Sequence, residues 1–250
     1  MNKKPVSYLQ TDARWKSVDY SAKGEKTTIG ASGCGPTAMA MVLATWADPA
    51  VTPATECAWA LTHGYKAPRQ GTYYGYFVPA AARYGLKARQ LSWTNIYGNS
   101  NSLLHEEARK AVEAGHLVIA CMGKGLWTSS GHYVLVWKIR GGIVYINDPA
   151  STRAVRTQGD YNLFKSQVKY YWVIERPEKE EEDMTREEVI QILNEQKTIY
   201  DTIEEVPEWA SPTIQKLMDK GYLEGEGEKL GLTYDLARVL VVNDRAGLYD

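Results

Sequence analysis

Ser32-Gly33-Cys34-Gly35-Pro36-Thr37-Ala38-Met39-Ala40-Met41-Val42-Leu43-Ala44-Thr45-Trp46 is the stretch on which the reading of this 250-residue chain turns. From Pro36 to Trp46 it consists of good or tolerable helix formers, and a proline in the first turn gives up only an N–H that lacks an intrahelical partner anyway. The run therefore predicts a helix over 36–46 with Cys34 at its N-terminus. Partial positive charge and unpaired N–H groups at that end favour a thiolate over a thiol. Gly33 and Gly35 place no side chain on either side of the sulfur, which leaves room for a substrate backbone to approach.

A thiolate nucleophile needs a base within hydrogen-bond reach and a third group that orients the base. Of the four histidines, His132 is the one that opens an apolar strand directly after a glycine, in Ser130-Gly131-His132-Tyr133-Val134-Leu135-Val136. His63, His105 and His116 fall at helix ends or on polar helix surfaces and read as surface or capping residues. For the orienting group the candidates are Asn147 and Asp148, in Asn147-Asp148-Pro149. A two-residue Gly141-Gly142 turn puts Asn147 beside Val136 on the His132 face, whereas a one-residue shift puts Asp148 beside Val134 on that face, so alternation leaves both open. Pro149 ends the strand in either case. Around the Cys34–His132 pair, Gly33, Gly131, Tyr74 and Trp127 are the candidates for substrate contact, Trp127 because it lies in a Gly-rich segment just before His132.

Outward from these motifs, helices are predicted at about 53–62, 76–84 and 103–114, each running into a glycine (Gly64, Gly85, Gly115). Strands are predicted at 117–122, 132–139, 143–147 and 170–174, rich in β-branched and aromatic residues. Helices first and an antiparallel sheet after them give an α+β class. Cys57 and Cys121 lie in apolar runs and read as buried free thiols; three cysteines without CxxC spacing encode neither a disulfide framework nor a zinc site. No two histidines have ligand spacing, so no metal and no cofactor is expected. No apolar stretch approaches the ~20 residues of a membrane span. Met1-Asn2-Lys3-Lys4-Pro5-Val6 has charge without an apolar run behind it, so no secretory signal is expected.

The charge is unevenly divided. Residues 1–175 hold 20 Lys and Arg against 11 Asp and Glu, a balance of +9, whereas residues 176–250 hold 9 against 19, a balance of −10. The shift marks a domain boundary. Arg176-Pro177-Glu178-Lys179-Glu180-Glu181-Glu182-Asp183 has nothing to bury and reads as a linker over 176–184, between a domain at 1–175 and a small all-α domain at 185–250. In the latter, Thr185-Arg186-Glu187-Glu188 is a capping box, Ser211-Pro212 opens a second helix and Thr233 a third. A basic first domain is drawn to polyanions such as an anionic cell wall.

Tyr8-Leu9-Gln10-Thr11-Asp12-Ala13-Arg14-Trp15, then Gly33-Cys34-Gly35-Pro36-Thr37, Gly131-His132-Tyr133-Val134-Leu135-Val136 and Asn147-Asp148-Pro149 together resemble the C39-like peptidases of the papain-like superfamily, including those found as phage endolysins. The resemblance spans about residues 5–175. It implies a papain-like fold with Cys34 as nucleophile, His132 as base, Asp148 as its orienting group and Gln10 as an oxyanion-hole side chain. An amide N–H paired with the Cys34 backbone N–H could hold an oxyanion on physical grounds also. Val206-Pro207-Glu208-Trp209-Ala210 with Ile214, Leu217, Gly221 and Gly225 resembles a degenerate S-layer-homology module, and Thr185-Arg186-Glu187-Glu188 resembles its TRAE motif; Thr233-Tyr234-Asp235 lacks the arginine. The expectation is a peptidoglycan hydrolase made in a host cytoplasm and acting, once released, on the peptidoglycan of a Gram-positive wall, with no nucleic-acid or membrane partner. The alternatives are a leader-peptide processing peptidase and a non-catalytic binding protein on the same scaffold. For the acidic domain they are wall binding, homodimerisation or docking on the first domain.

Overall fold

Leu117-Val118-Ile119-Ala120-Cys121-Met122 has no charged residue on either face, a pattern that suits a strand covered on both sides. In the computed structural model, which describes residues 4–177 and 198–249 apart from 226 and 228, this segment is buried along its whole length at the middle of a sheet. The chain divides into two compact units, 1–178 and 179–250. The first unit runs α1 (Ile29–Ser32), α2 (Cys34–Trp46), α3 (Pro53–Thr62), a 3-10 turn (Tyr74–Tyr76), α4 (Phe77–Ala82), β1 (Ala88–Gln90), α5 (Leu103–Glu113), β2 (Leu117–Met122), β3 (His132–Arg140), β4 (Ile143–Asn147), α6 (Ala154–Thr157), β5 (Gln158–Asp160), α7 (Tyr161–Gln167) and β6 (Val168–Ile174). Among the described residues its strands form one antiparallel sheet in the order β1-β6-β2-β3-β4-β5.

Because successive side chains on a strand point to opposite faces, the sheet supports two cores. Odd-numbered Ile119, Cys121, Tyr133 and Leu135 and even-numbered Trp172 and Ile174 face α2, α3 and α4, where Met39, Met41, Leu43, Phe77 and Tyr76 are fully buried. Val118, Ala120, Val134, Val136, Val144 and Ile146 face the other way, onto Ala108, Ala111 and Val112 of α5 and Phe164 of α7. α2 is apolar all round and is buried from Cys34 to Ala44, so its N-terminus is held rigidly against the sheet.

The β3–β4 hairpin settles the pairing that alternation left open. Near the turn the two-residue register holds, with Arg140 opposite Ile143, Ile139 opposite Val144 and Lys138 opposite Tyr145. At Trp137 a bulge inserts one residue, after which Val136 faces Ile146 and Leu135 faces Asn147. The shift carries Asn147 onto the Leu135 face and the next residue, Asp148, onto the face of His132. Asn147 instead donates from Nδ2 to the Val6 carbonyl at 3.0 Å.

The helices and strands predicted within residues 1–175 are all present, with ends displaced by a few residues: the 76–84 segment begins as a 3-10 turn, and the last strand starts at Val168. The short β1, α6, β5 and α7 have too few residues to show a period. In the second unit the described elements are β7 (Ile199–Tyr200), a 3-10 turn (Ile203–Glu205), α8 (Ser211–Asp219), β8 (Leu232–Thr233) and α9 (Tyr234–Arg245), around Val206, Ala210, Ile214, Leu232, Ala237 and Val241. Helices dominate it, but it is not wholly α: β7 and β8 pair as a two-residue antiparallel ladder. The helix predicted at Thr185 and most of the linker lie outside the described residues. Among the described residues no helix is long and apolar enough to cross a membrane.

Candidate active site

Cys34 is the first residue of α2, after Gly33 at the N-cap. The break between α1 and α2 matters, because the leading N–H groups of a helix have no intrahelical acceptor. Gly30, four residues before Cys34, gives its carbonyl to Gln10 Nε2 at 2.8 Å. The glycines flanking Cys34 are required by packing, and neither lines the cavity beside it. A Cβ on Gly33 would stand 2.7 Å from the Ile29 carbonyl oxygen, and one on Gly35 would stand 3.0 Å from Thr72 Cβ and Oγ1. They let α1 and the Thr72 segment close tightly around the cysteine.

His132 opens β3, and its Nε2 lies 2.7 Å from Asp148 Oδ1. That contact leaves Nδ1 for Cys34, with which the imidazole shares a side-chain hydrogen bond. The Asp148 side chain is fully buried. Its carboxylate also accepts from Arg156 Nε at 2.7 Å and from the Ala150 N–H at 2.8 Å. Arg156 in turn donates from Nη2 to the Trp127 carbonyl at 2.8 Å. The chain cysteine, imidazole, carboxylate, guanidinium is thus continuous, each member fixed by the next.

This arrangement decides where the proton sits. Burial pushes the Cys34 thiol up, but the hydrogen bond and positive charge of His132 and the N–H groups of Tyr133 and Gly35 overcome it, so the thiol lies below its ordinary value of 9.0. Burial pulls His132 down, and the bonds to Asp148 and Cys34 overcome that too, raising the imidazole to about 9. Both shifts favour a thiolate–imidazolium pair near neutral pH, and the pair titrates as a unit. Burial raises Cys57 well above its usual value and pushes Cys121 up to about 12. Iodoacetamide at pH 7 is therefore expected to alkylate Cys34 and spare the other two, with the rate falling in acid as the thiolate protonates; peptide mapping that finds Cys34 unmodified, or all three equally modified, contradicts this electrostatic account.

Beside the pair opens a cavity of about 420 Å³, lined by Cys34, Ala67, Arg69, Gln70, Gly71, Thr72, Tyr73, Tyr74, Cys121, Ser130, Gly131, His132, Tyr133 and Lys169. Tyr74 and Gly131, both expected at the substrate, line it. Trp127 does not: it is 1% exposed, its indole N–H donates to the Arg156 carbonyl at 2.9 Å, and its ring packs edge-on against Phe164 in the core on the other face of the sheet. A sequence cannot show to which side the β2–β3 loop folds. Gln10 is 6% exposed and is pinned between two parts of the site, its N–H on the Pro149 carbonyl at 2.7 Å and its Nε2 on Gly30. It does not line the cavity, but it sits against the segment that leads into Cys34. Gln10 Oε1 is buried with no hydrogen-bond partner, so the amide is oriented by its NH2 end alone.

Sequence reading passed over Arg156, which nothing in the residues distinguishes from the neighbouring Arg153, and the cationic groove residues Arg69 and Lys169. It also placed His105 on the surface, whereas His105 is 3% exposed and bridges the Tyr171 hydroxyl and the Asn99 carbonyl. Among the described residues no group of three or more His, Cys, Asp or Glu side chains is placed to hold a metal ion.

A comparison with curated proteins gives no match. Several solved structures resemble the chain. One, from Bacillus anthracis and described as a C39-like peptidase, is 18% identical, with 58% of this chain and 90% of that one covered and a TM-score of 0.39. Another is the peptidase domain of Streptococcus ComA, a bi-functional ABC transporter involved in a quorum-sensing pathway, at 19% identity, 57% and 91% coverage and a TM-score of 0.40. The family model of the Peptidase_C39 like family matches residues 10–178, a span that holds Gln10, Cys34, His132, Asp148 and every strand of the sheet. The chain thus belongs to the C39-like peptidase family.

Proposed function

We propose that this protein is a peptidoglycan hydrolase of the endolysin kind, which cuts an amide of the stem peptide or cross-bridge through a thioester on Cys34. The observation that carries the hydrolytic part is the buried Cys34–His132–Asp148 relay opening into a peptide-sized groove. Cys34 Sγ attacks the scissile carbonyl carbon. The oxyanion is received by the Cys34 N–H and by the Gln10 Nε2 hydrogen not bound to Gly30. His132 passes the proton on Nδ1 to the leaving amine, the C–N bond breaks, and a thioester remains. His132 then takes a proton from water, which attacks the thioester and frees the acid and the thiolate. Asp148 holds the imidazole in place and stabilises its charge throughout.

The wall substrate is supported by the +9 balance of residues 1–175 and by the resemblance of the second unit to a wall-binding module. In that unit Trp209 meets Tyr234 edge-on at 5.8 Å and Arg238 stands over the Tyr234 ring, an exposed aromatic and cationic patch suited to a wall polymer. In this reading the protein meets the wall after release from the cell that makes it. Incubation with purified Gram-positive peptidoglycan is expected to liberate peptide fragments with one new amine and one new carboxyl terminus by mass analysis. Intact walls alongside cleavage of a leader peptide would transfer the same chemistry to a processing peptidase.

A further inference from the structure

We propose that Arg69 and Lys169 form an anion-binding wall of the groove and select peptides that carry a free carboxylate close to the scissile amide. This rests on the peptidase reading and names the substrate class of the same site. Two cationic side chains line the groove, and no aspartate or glutamate does. The catalytic pair adds one negative and one positive charge, which cancel, so the field in the groove is set by Arg69 and Lys169.

Arg69 is placed by construction. Its φ of +57° makes it the one non-glycine residue in the left-handed region among the described residues. A bulky side chain adopts that conformation only where its surroundings impose it. The imposing group is Glu25, whose Oε2 accepts the Arg69 N–H and whose Oε1 meets Lys66 Nζ at 2.6 Å. Lys66 has a side chain 1% exposed and also donates to the carbonyls of Ala67 and Gln70 at 2.8 and 2.6 Å. The ion pair thereby clips both ends of the turn that carries Arg69, while its two charges neutralise each other. What the turn presents to the groove is the Arg69 guanidinium, exposed and, among the described residues, in no ion pair.

Lys169 lies on β6, half-buried, with its Nζ 6.0 Å from the centroid of the Tyr74 ring, and it lines the same cavity as Tyr74 and Cys121. It too has no carboxylate partner among the described residues. A cation left without a counter-ion in a partly desolvated wall suits an incoming anion, and an arginine lining the same groove offers the fork geometry that a carboxylate accepts. A cavity of this size takes a few residues of peptide, so the recognised carboxylate belongs to the substrate segment next to the cut, either on a side chain or at a C-terminus.

The test uses the full chain and a set of matched stem peptides: free carboxylates, side-chain carboxylate replaced by carboxamide, and C-terminal carboxylate replaced by carboxamide. The wild type is expected to prefer the fully anionic peptide over one of the two amides by about 10- to 100-fold in kcat/KM, the range expected of a charge-assisted contact. Which amide is disfavoured reports which carboxylate is read. Arg69→Gln and Lys169→Gln are each expected to bring that ratio toward one, and 0.5 M salt to lower it in the wild type. Alkylation of Cys34 at pH 7 in each variant shows that the site is still folded. Equal hydrolysis of all three peptides by the wild type, or an undiminished preference in the double variant, overturns this inference and leaves the peptidase reading standing. Hydrolysis of none of them, in a wild type whose Cys34 alkylates, overturns both this inference and the peptidoglycan-hydrolase reading.

Discussion

Cys34→Ala is expected to lower amide hydrolysis by about 10⁴-fold or more, because the loss removes the bond-forming atom and leaves only binding and oxyanion stabilisation. Little else should change. Cys34 is buried with 8% exposure, alanine fits the same helical position, and the wall of the site is built by Gly33, Gly35, Thr72 and Tyr133, which stay in place. The variant has a second, independent readout. His132 is raised to about 9 partly by its hydrogen bond to Cys34 and by the thiolate charge, while burial lowers it. Without the sulfur the lowering influence of burial is less opposed, so the imidazole titration followed by NMR should move to lower pH. A variant that hydrolyses at the wild-type rate would remove Cys34 from the mechanism, and an unmoved His132 titration would mean that the two side chains do not share a proton.

Asp148→Asn is expected to cost about 10²- to 10⁴-fold in kcat, with the substrate KM much less affected, since Asp148 meets the imidazole and lies away from the groove. The hydrogen bond to Asp148 is the strongest influence opposing the effect of burial on His132. Its neutralisation lets the imidazole fall, and the sign for activity follows. The thiolate–imidazolium pair exists above the cysteine titration and below that of the histidine, so the alkaline limb of the rate profile, near pH 9 in the wild type, should move down. A second cost falls on stability. Arg156 has a side chain 17% exposed and places Nε and Nη2 on the same carboxylate oxygen. Asp148→Ala strands that guanidinium, and breaking a buried pair from one side costs about 3–5 kcal/mol. Asp148→Asn retains an acceptor and should unfold later in urea than Asp148→Ala. Wild-type kcat and an unshifted alkaline limb in the asparagine variant would show that Asp148 plays no part in holding the base.

Some of this architecture is legible in the residues by local rules. The helix behind Cys34 follows from an apolar run with proline in its first turn, and β2, β3 and β4 follow from short β-branched runs with Gly141-Gly142 between two of them. Cys34 and His132 stand out because each combines a reactive side chain with a defined position, a helix start and a strand start. The choice between Asn147 and Asp148 has no such local signature. It turns on the bulge at Trp137, one inserted residue that exchanges the faces of everything beyond it. Trp127 was misplaced for a related reason: its loop could fold to either side of the sheet, and packing against Phe164 decided the side.

The sequence by itself determined which residues can do chemistry and which local elements carry them, because helix and strand periodicity and the reactivity of a thiol at a helix start depend on neighbours within a few positions. Only the tertiary structure decided which of those residues meet. The Cys34–His132 pair, the His132–Asp148 pair and the Glu25–Lys66 clip each join positions brought together by sheet register or long-range packing. Those contacts form between distant segments, so the energy that selects them exists only once the whole sheet has closed.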